Sequence, residues 1–190
     1  MIRDLILRNR SYRRFDSAVK IDLTRIERWI DLARMSPSGR NMQPLKYAVC
    51  TDEKINALIF PHLGWAGYLK DWNGPAENER PVAYIAVLLD RKLAENHYCD
   101  EGIAMQSILL GAVEEGFGGC IIGSVNKSRM AKVLKLPENL EILNVLALGK
   151  PAEKVVLDTA ENGEIKYWRD ENSVHHVPKR PLKEVIIKTV

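Results

Sequence analysis

Cysteine is scarce in this 190-residue chain: Cys50, Cys99 and Cys120 lie far apart and form no Cys-x-x-Cys pair. An odd, scattered count argues against a disulfide framework and reads as reduced thiols in a cytoplasmic protein. Long hydrophobic runs are also missing. No stretch approaches the roughly 18 apolar residues of a membrane span. The start, Met1-Ile2-Arg3-Asp4-Leu5, holds an acid and no apolar core, unlike a secretory signal. Net charge is only +3, too little to imply a nucleic-acid partner. His62, His97, His175 and His176 stand at no ligand spacing with carboxylates or cysteines, so no catalytic metal is expected. No Gly-x-Ser-x-Gly elbow occurs. Gly116-Phe117-Gly118-Gly119-Cys120-Ile121 lacks the last glycine of a dinucleotide fingerprint and precedes a strand rather than following one. Gly118 to Gly123 has Walker spacing, but Ser124 stands where the lysine must be.

What remains is a 46% hydrophobic, 28% charged composition, the balance of one well-buried globular domain spanning residues 1–190. Ile2, Leu5 and Ile6 predict a short amphipathic helix ending near Arg10. Asp22 reads as the N-cap of a second helix, with Ile26, Trp29, Ile30 and Ala33 on its apolar face. A strand is expected at 46–51 and a weaker helix from Asp52 to about Phe60. Residues 82–89 form a continuous apolar run, the pattern of a strand buried on both faces. Asp100 reads as the cap of a long, nearly all-round apolar helix that stops at Gly116. A buried strand running into a turn is expected at 118–125 and a strong strand at 142–148, with a helix at 127–135 between them. The tail from Ala152 reads as charged loop, with a possible last strand at Val185-Ile186-Ile187. Strands and helices do not alternate strictly, which predicts an α+β fold.

Three stretches carry polar chemistry. Pro37-Ser38-Gly39-Arg40-Asn41-Met42-Gln43-Pro44 has a proline at each end and no apolar period, so neither helix nor strand is expected there. Its composition fits a ligand loop and equally a plain helix–strand connection. Residues 61–81 mix Pro61, Gly64, Gly67, Gly74, Pro75 and Pro81 with Trp65, Tyr68 and Trp72, which fits a pocket wall or lid as well as a packed surface loop. Arg10, Arg13 and Arg14 cluster with Ser11 near the start, and Lys179-Arg180 lie between two prolines near the end. Guanidinium forks beside a hydroxyl suit phosphate oxygens; solvated surface runs have the same look.

In their order along the chain, Arg10-Ser11-Tyr12-Arg13-Arg14-Phe15, the 37–44 loop, Asp100 to Gly119, Gly149-Lys150-Pro151 and Pro178-Lys179-Arg180-Pro181-Leu182 resemble the nitroreductase family of FMN-dependent oxidoreductases. The resemblance implies a central, mostly antiparallel sheet flanked by helices, in an intertwined homodimer with FMN at its interface. It implies that Arg10, Ser11, Tyr12 and Arg13, with Lys179 or Arg180, hold FMN by its phosphate end. Asn9 departs from the arginine that many members carry there. Ser38, Gly39, Asn41 and Gln43 are expected on the flavin, the first two on the partner's, with Ile122 and Gly123 offering backbone N–H groups to flavin N5. Arg40 is a candidate contact to the reduced ring, and Trp65 and Tyr68 to a small-molecule substrate. NADH or NADPH would donate hydride, and an electrophilic nitroaromatic, quinone or enone would accept it. No side-chain catalyst is called for, because the cofactor does the chemistry. Two other readings stay open: a flavin binder with little turnover, and an iodotyrosine-type dehalogenase using Tyr68, Lys70 and Glu77.

Overall fold

The most apolar runs become strands, and the capped amphipathic runs between them become helices. The computed structural model describes residues 1–189. They form α1 (Ile2–Arg8), β1 (Phe15–Asp16), α2 (Leu23–Met35), β2 (Leu45–Cys50), α3 (Glu53–Ile59), β3 (Ala83–Asp90) and α4 (Asp100–Glu114). The chain continues with β4 (Gly118–Ile122), α5 (Lys127–Val133), β5 (Leu140–Pro151), β6 (Val155–Thr159), β7 (Trp168–Arg169), β8 (His175–Lys179) and α6 (Leu182–Val185).

The main sheet has five strands in the order β1-β5-β3-β2, with β4 also on β5, and every pairing is antiparallel. The fold is α+β. Because side chains alternate across a strand, β3 feeds two separate cores. Ala83, Ile85 and Val87 pack with Ile26, Trp29, Ile108 and Leu109 of α2 and α4. Tyr84, Ala86 and Leu88 pack with Ile59 of α3 and Met130 of α5. Helices therefore cover both faces of the sheet. No helix of the described residues is long and apolar enough to cross a membrane.

Helix ends follow from local chemistry. The carboxylates of Asp22 and Asp52 accept from the N–H groups of Arg25 and Ile55, each three residues on. At the end of α4, Gly116 adopts φ +77° while its N–H and that of Phe117 bond back to Val113 and Ala112, the double closure of a Schellman turn.

Several expectations need correction. Asp100 is not a cap: it is the first residue of α4, whose cap is Cys99, and its carboxylate turns to the 37–44 loop instead. That loop is not wholly irregular, since Gly39–Asn41 make one 3₁₀ turn, short enough to fit between the prolines. Ile121 in β4 is 41% exposed, so the strand is open on one side. Val185 ends α6, and Ile186 and Ile187 form no strand. The tail is not loop, because β6, β8 and β7 build a second, three-stranded sheet in which β6 and β8 run parallel. Pro178 is tolerated in β8 because β7 pairs only with His175 and His176, so that edge needs no N–H at 178.

Candidate functional site

The sheet and the tail meet around the segment between α1 and β1. Ser11 bridges to Gly119 of β4, and Tyr12 N–H donates to the Gly119 carbonyl at 3.0 Å. Gly119 is needed for the packing of β4 on β5: a Cβ there would lie 2.5 Å from the Ala147 carbonyl oxygen. From the tail, the almost fully buried Glu153 side chain accepts from the backbone N–H groups of Arg13 and Arg14 and from the Arg169 guanidinium. These contacts present Asn9, Arg10, Ser11 and Arg13 towards β8.

A cavity of about 240 Å³ opens there, lined by Asn9, Arg10, Ser11, Arg13, Tyr167, His175, Val177 and Lys179. The three cations among them face no carboxylate lining. Arg10 donates through Nη2 to the Ile6 carbonyl at 2.6 Å, while its buried Nε has no partner. Burial lowers the Arg10 pKa from its ordinary value, although a guanidinium stays charged at neutral pH. Arg13 donates from Nη1 to the Ser11 carbonyl at 3.2 Å and lies 5.0 Å from the centre of the Tyr167 ring. Asn9 donates to Gln106 at 3.2 Å. A dry donor without an acceptor, three cations and a hydroxyl suit a phosphate group.

A second cavity, about 260 Å³, adjoins the first through two shared walls, Arg13 and Tyr167. Its other walls include Trp65, Cys120, Ile121, Ile122, Gly123 and Ser124. The segment 62–64 is clamped to the end of β4: Gly64 N–H donates to the Ser124 carbonyl at 2.7 Å and Asn126 N–H to His62. This fixes Trp65 beside the strand, with its ring 5.6 Å from Phe60. The Trp65 and Tyr167 rings, the Ile121 and Ile122 side chains and the glycine-flanked backbone at the strand end suit a flat aromatic body. Together the two cavities fit a ligand with a phosphate at one end and a planar ring at the other.

The expected site residues divide accordingly. Arg10, Ser11, Arg13 and Lys179 meet in the first cavity; Trp65, Ile122 and Gly123 meet in the second. Tyr12 is not in either, since it packs on Gly118 and donates its hydroxyl to the Arg8 carbonyl. Arg180 instead reaches Glu184 at 3.5 Å. Arg14 is drawn away by Glu79, whose carboxylate takes its Nε at 2.9 Å and raises its pKa. Tyr68 packs its ring, tilted, against Tyr167 at 4.8 Å between centroids and borders a third cavity with Lys70, Trp72, Trp168 and Arg169. Tyr167, His175, Glu153 and Arg169 were not singled out by sequence for this site. Tyr167-Trp168 in a polar tail was the one available signal.

The 37–44 loop stands apart. Ser38 Oγ donates to Asp100 Oδ2 at 2.6 Å and Gly39 N–H to Oδ1 at 2.8 Å, while Gln43 N–H donates to Ser38 Oγ at 2.9 Å. Arg40, Asn41 and Gln43 are held at φ 54°, 56° and 48°, a costly region for side-chain-bearing residues. Gln43 also donates to Asn41 Oδ1. Ser38, Gln43, Tyr47 and Asp100 line a cavity of about 190 Å³ that shares no residue with the other two.

Comparison with known proteins agrees with this fold. The nitroreductase family profile matches residues 6–68 and 82–150. An oxygen-insensitive NADPH nitroreductase of Helicobacter pylori is 24% identical, covering 78% of this chain and 86% of its own. The crystal structure of a nitroreductase family protein from Clostridium novyi NT is 25% identical with a TM-score of 0.65, over 80% of this chain and 86% of that one. The NADPH:FMN oxidoreductase from Vibrio harveyi, solved with NAD+, shares the fold at 23% identity and a TM-score of 0.62, over 79% of this chain and 68% of its own. With most of both its cores and the first cavity's N-terminal wall inside the matched segments, the chain belongs to the nitroreductase family.

Proposed function

We propose that the protein is an FMN-dependent oxidoreductase that takes hydride from NADH or NADPH and passes it to a small electrophilic acceptor by a ping-pong route. The observation that carries this reading is the pair of adjoining cavities, one lined by three cations and the other by Trp65 and the end of β4, that share Arg13 and Tyr167. Arg10, Arg13, Lys179 and Ser11 would hold the phosphate, and Trp65 and Ile122 would bound the ring. The N–H groups of Ile122 and Gly123 would face its central edge. FMN, when bound, supplies the hydride transfer; the chain supplies position and charge. Donors near the pyrimidine edge would offset the negative charge that reduction places there, and Arg40 is the candidate. The H. pylori and V. harveyi relatives use NADPH in name, which supports a nicotinamide donor.

The reading includes one domain per chain, a cytoplasmic setting and a homodimer. The separate position of the 37–44 loop supports the dimer, because Ser38, Gly39, Asn41 and Gln43 do not reach the phosphate cavity of their own chain. Their service to a flavin then calls for a second copy. Exposed Ile2, Ile6 and Leu7 on α1 and Leu182, Val185 and Ile187 at the tail offer apolar surface for one. Tyr68 and Trp65 would border the acceptor. A dehalogenase trio is not favoured, since Glu77 lines a different cavity, with Lys20 and Arg80, from the one that Tyr68 and Lys70 share.

The test is direct. Protein incubated with FMN should elute yellow, and NADH or NADPH should bleach it within seconds. A stopped-flow acceptor screen of the reduced protein should then find turnover with nitroaromatics, quinones or enones. A preparation that takes up no FMN would sink the proposal, and tight FMN without bleaching would leave a flavin binder.

A further inference from the structure

His175 opens β8, is 1% exposed, and stands opposite Val155 of β6 and Arg169 of β7. Its imidazole Nε2 lies 3.3 Å from Arg13 Nη1. Arginine has donors only, so this contact requires an unprotonated Nε2 that accepts. The charged groups around the ring are cations. Arg13 faces it from the segment before β1, Arg169 from β7, and Arg10 and Lys179 line the same cavity. His176, its neighbour on β8, turns away to Asp158 and Asp170. Glu153 is occupied by Arg13 N–H, Arg14 N–H and Arg169. Burial first, then Arg13, Arg169 and His176, push His175 down to about 4, so it is neutral at physiological pH.

The contrast with Arg14 shows what a neutral partner achieves. Glu79 holds Arg14 but also cancels its charge. An uncharged imidazole orients a guanidinium and leaves the whole charge for an incoming anion. Among the described residues Arg13 Nη1 also donates to the Ser11 carbonyl and the guanidinium lies close to the Cys120 thiol, which leaves donors for a ligand. The Tyr167 ring, 5.2 Å from the imidazole and 5.0 Å from the guanidinium, packs against both.

We infer that His175 is a positioning residue for the cofactor phosphate: its neutral imidazole accepts from Arg13 and holds that guanidinium against the cavity. This rests on the reading that the cavity takes the FMN phosphate. It follows that protonating His175 would release Arg13 and loosen the phosphate.

FMN and riboflavin are titrated into the apo-protein, with flavin fluorescence as the readout, for wild type, His175→Leu and His175→Gln. At pH 8, His175→Leu should raise the FMN dissociation constant about tenfold, the loss of one charged hydrogen bond, and leave riboflavin unaffected. His175→Gln keeps an acceptor and should stay within about threefold of wild type. As pH falls through about 4, the value of His175, wild type should lose FMN more steeply than His175→Gln; the ligand's own phosphate ionisation, near pH 6, is complete by then and common to both. Thermal melts check folding, and if the leucine variant does not fold, the glutamine comparison decides. Equal FMN affinity of wild type and a folded leucine variant, or parallel acid profiles for wild type and the glutamine variant, would overturn the inference alone. Failure of the wild type to bind FMN would overturn the flavin reading and this inference with it.

Discussion

Replacing Asp100 by alanine tests how the 37–44 loop is held. The carboxylate is 4% exposed and accepts two hydrogen bonds, from Ser38 Oγ and Gly39 N–H. Bonds to a charged group contribute about 1.5–3 kcal/mol each, so the pair contributes about 3–6 kcal/mol. Against this stands the left-handed backbone at Arg40, Asn41 and Gln43, at about 1 kcal/mol apiece, or about 3 kcal/mol in all. The anchor wins by a narrow margin. In Asp100→Ala the loop keeps its internal bonds, such as Gln43 N–H to Ser38 Oγ, but loses the anchor that offsets the strain, and it should relax. Part of the lost bonding is recovered as the strain disappears, so the expected cost is about 3 kcal/mol, a fall of about 6–12 °C in melting temperature for a chain of this size. Asp100→Asn keeps one acceptor and should lose less than half as much. Amide exchange at Gly39 and Gln43 should accelerate in the alanine variant, while β3 and β5 amides hold. A second readout is Tyr47, whose hydroxyl is pushed up to about 12 by burial first and Asp100 second. Its absorbance titration should move down only part of the way in Asp100→Asn. An alanine variant that melts with wild type and protects Gly39 equally would refute the reasoning.

Arg13→Ala should raise the FMN dissociation constant about 10–100-fold, the loss of charged hydrogen bonds, whereas Arg14→Ala should leave it unchanged in fluorescence titration. Arg14→Ala should instead lower stability by about 1–2 kcal/mol, because Glu79 loses its partner. Gly119→Ala forces a Cβ to within 2.7 Å of Leu148 Cδ2 and 2.9 Å of Leu109 Cδ2. Denaturant melts should show about 1–3 kcal/mol of destabilisation. Stability should also respond to pH through His176. Its bond to Asp158 raises its folded pKa, so its contribution is present below about pH 6.5 and disappears as pH rises through the raised value. Wild type should therefore out-melt His176→Gln at pH 6 but not at pH 9.

Legibility in the sequence followed burial and range. β3 and α4 were readable because their apolar runs are long, and the Asp22 cap because capping is local. Strands β6 and β8 were not, since both are only partly buried and so show neither alternation nor a continuous run. The cations of the phosphate cavity stand out in the primary sequence. Why Arg13 enters it and Arg14 does not depends on Glu79, 65 positions away. Asp100 shows the opposite failure: an acid at a helix start reads as a cap, and only the folded-back loop reveals an anchor. Nothing local ties Tyr167 or His175 to Arg13, because tertiary closure alone brings them together.

The distance along the chain between the cavity's two halves has a kinetic consequence. Arg13 and Glu153 are 140 positions apart, and Arg13 and His175 are 162. Contacts of that separation close a large loop and form late, after the local pairs that nucleate folding. During synthesis the N-terminal cations must wait, unpaired, until almost the whole chain has emerged. Acquisition of ligand by the cavity would thus report the last stage of maturation, and a chain cut short before residue 153 would keep most of both cores yet have no phosphate site to offer.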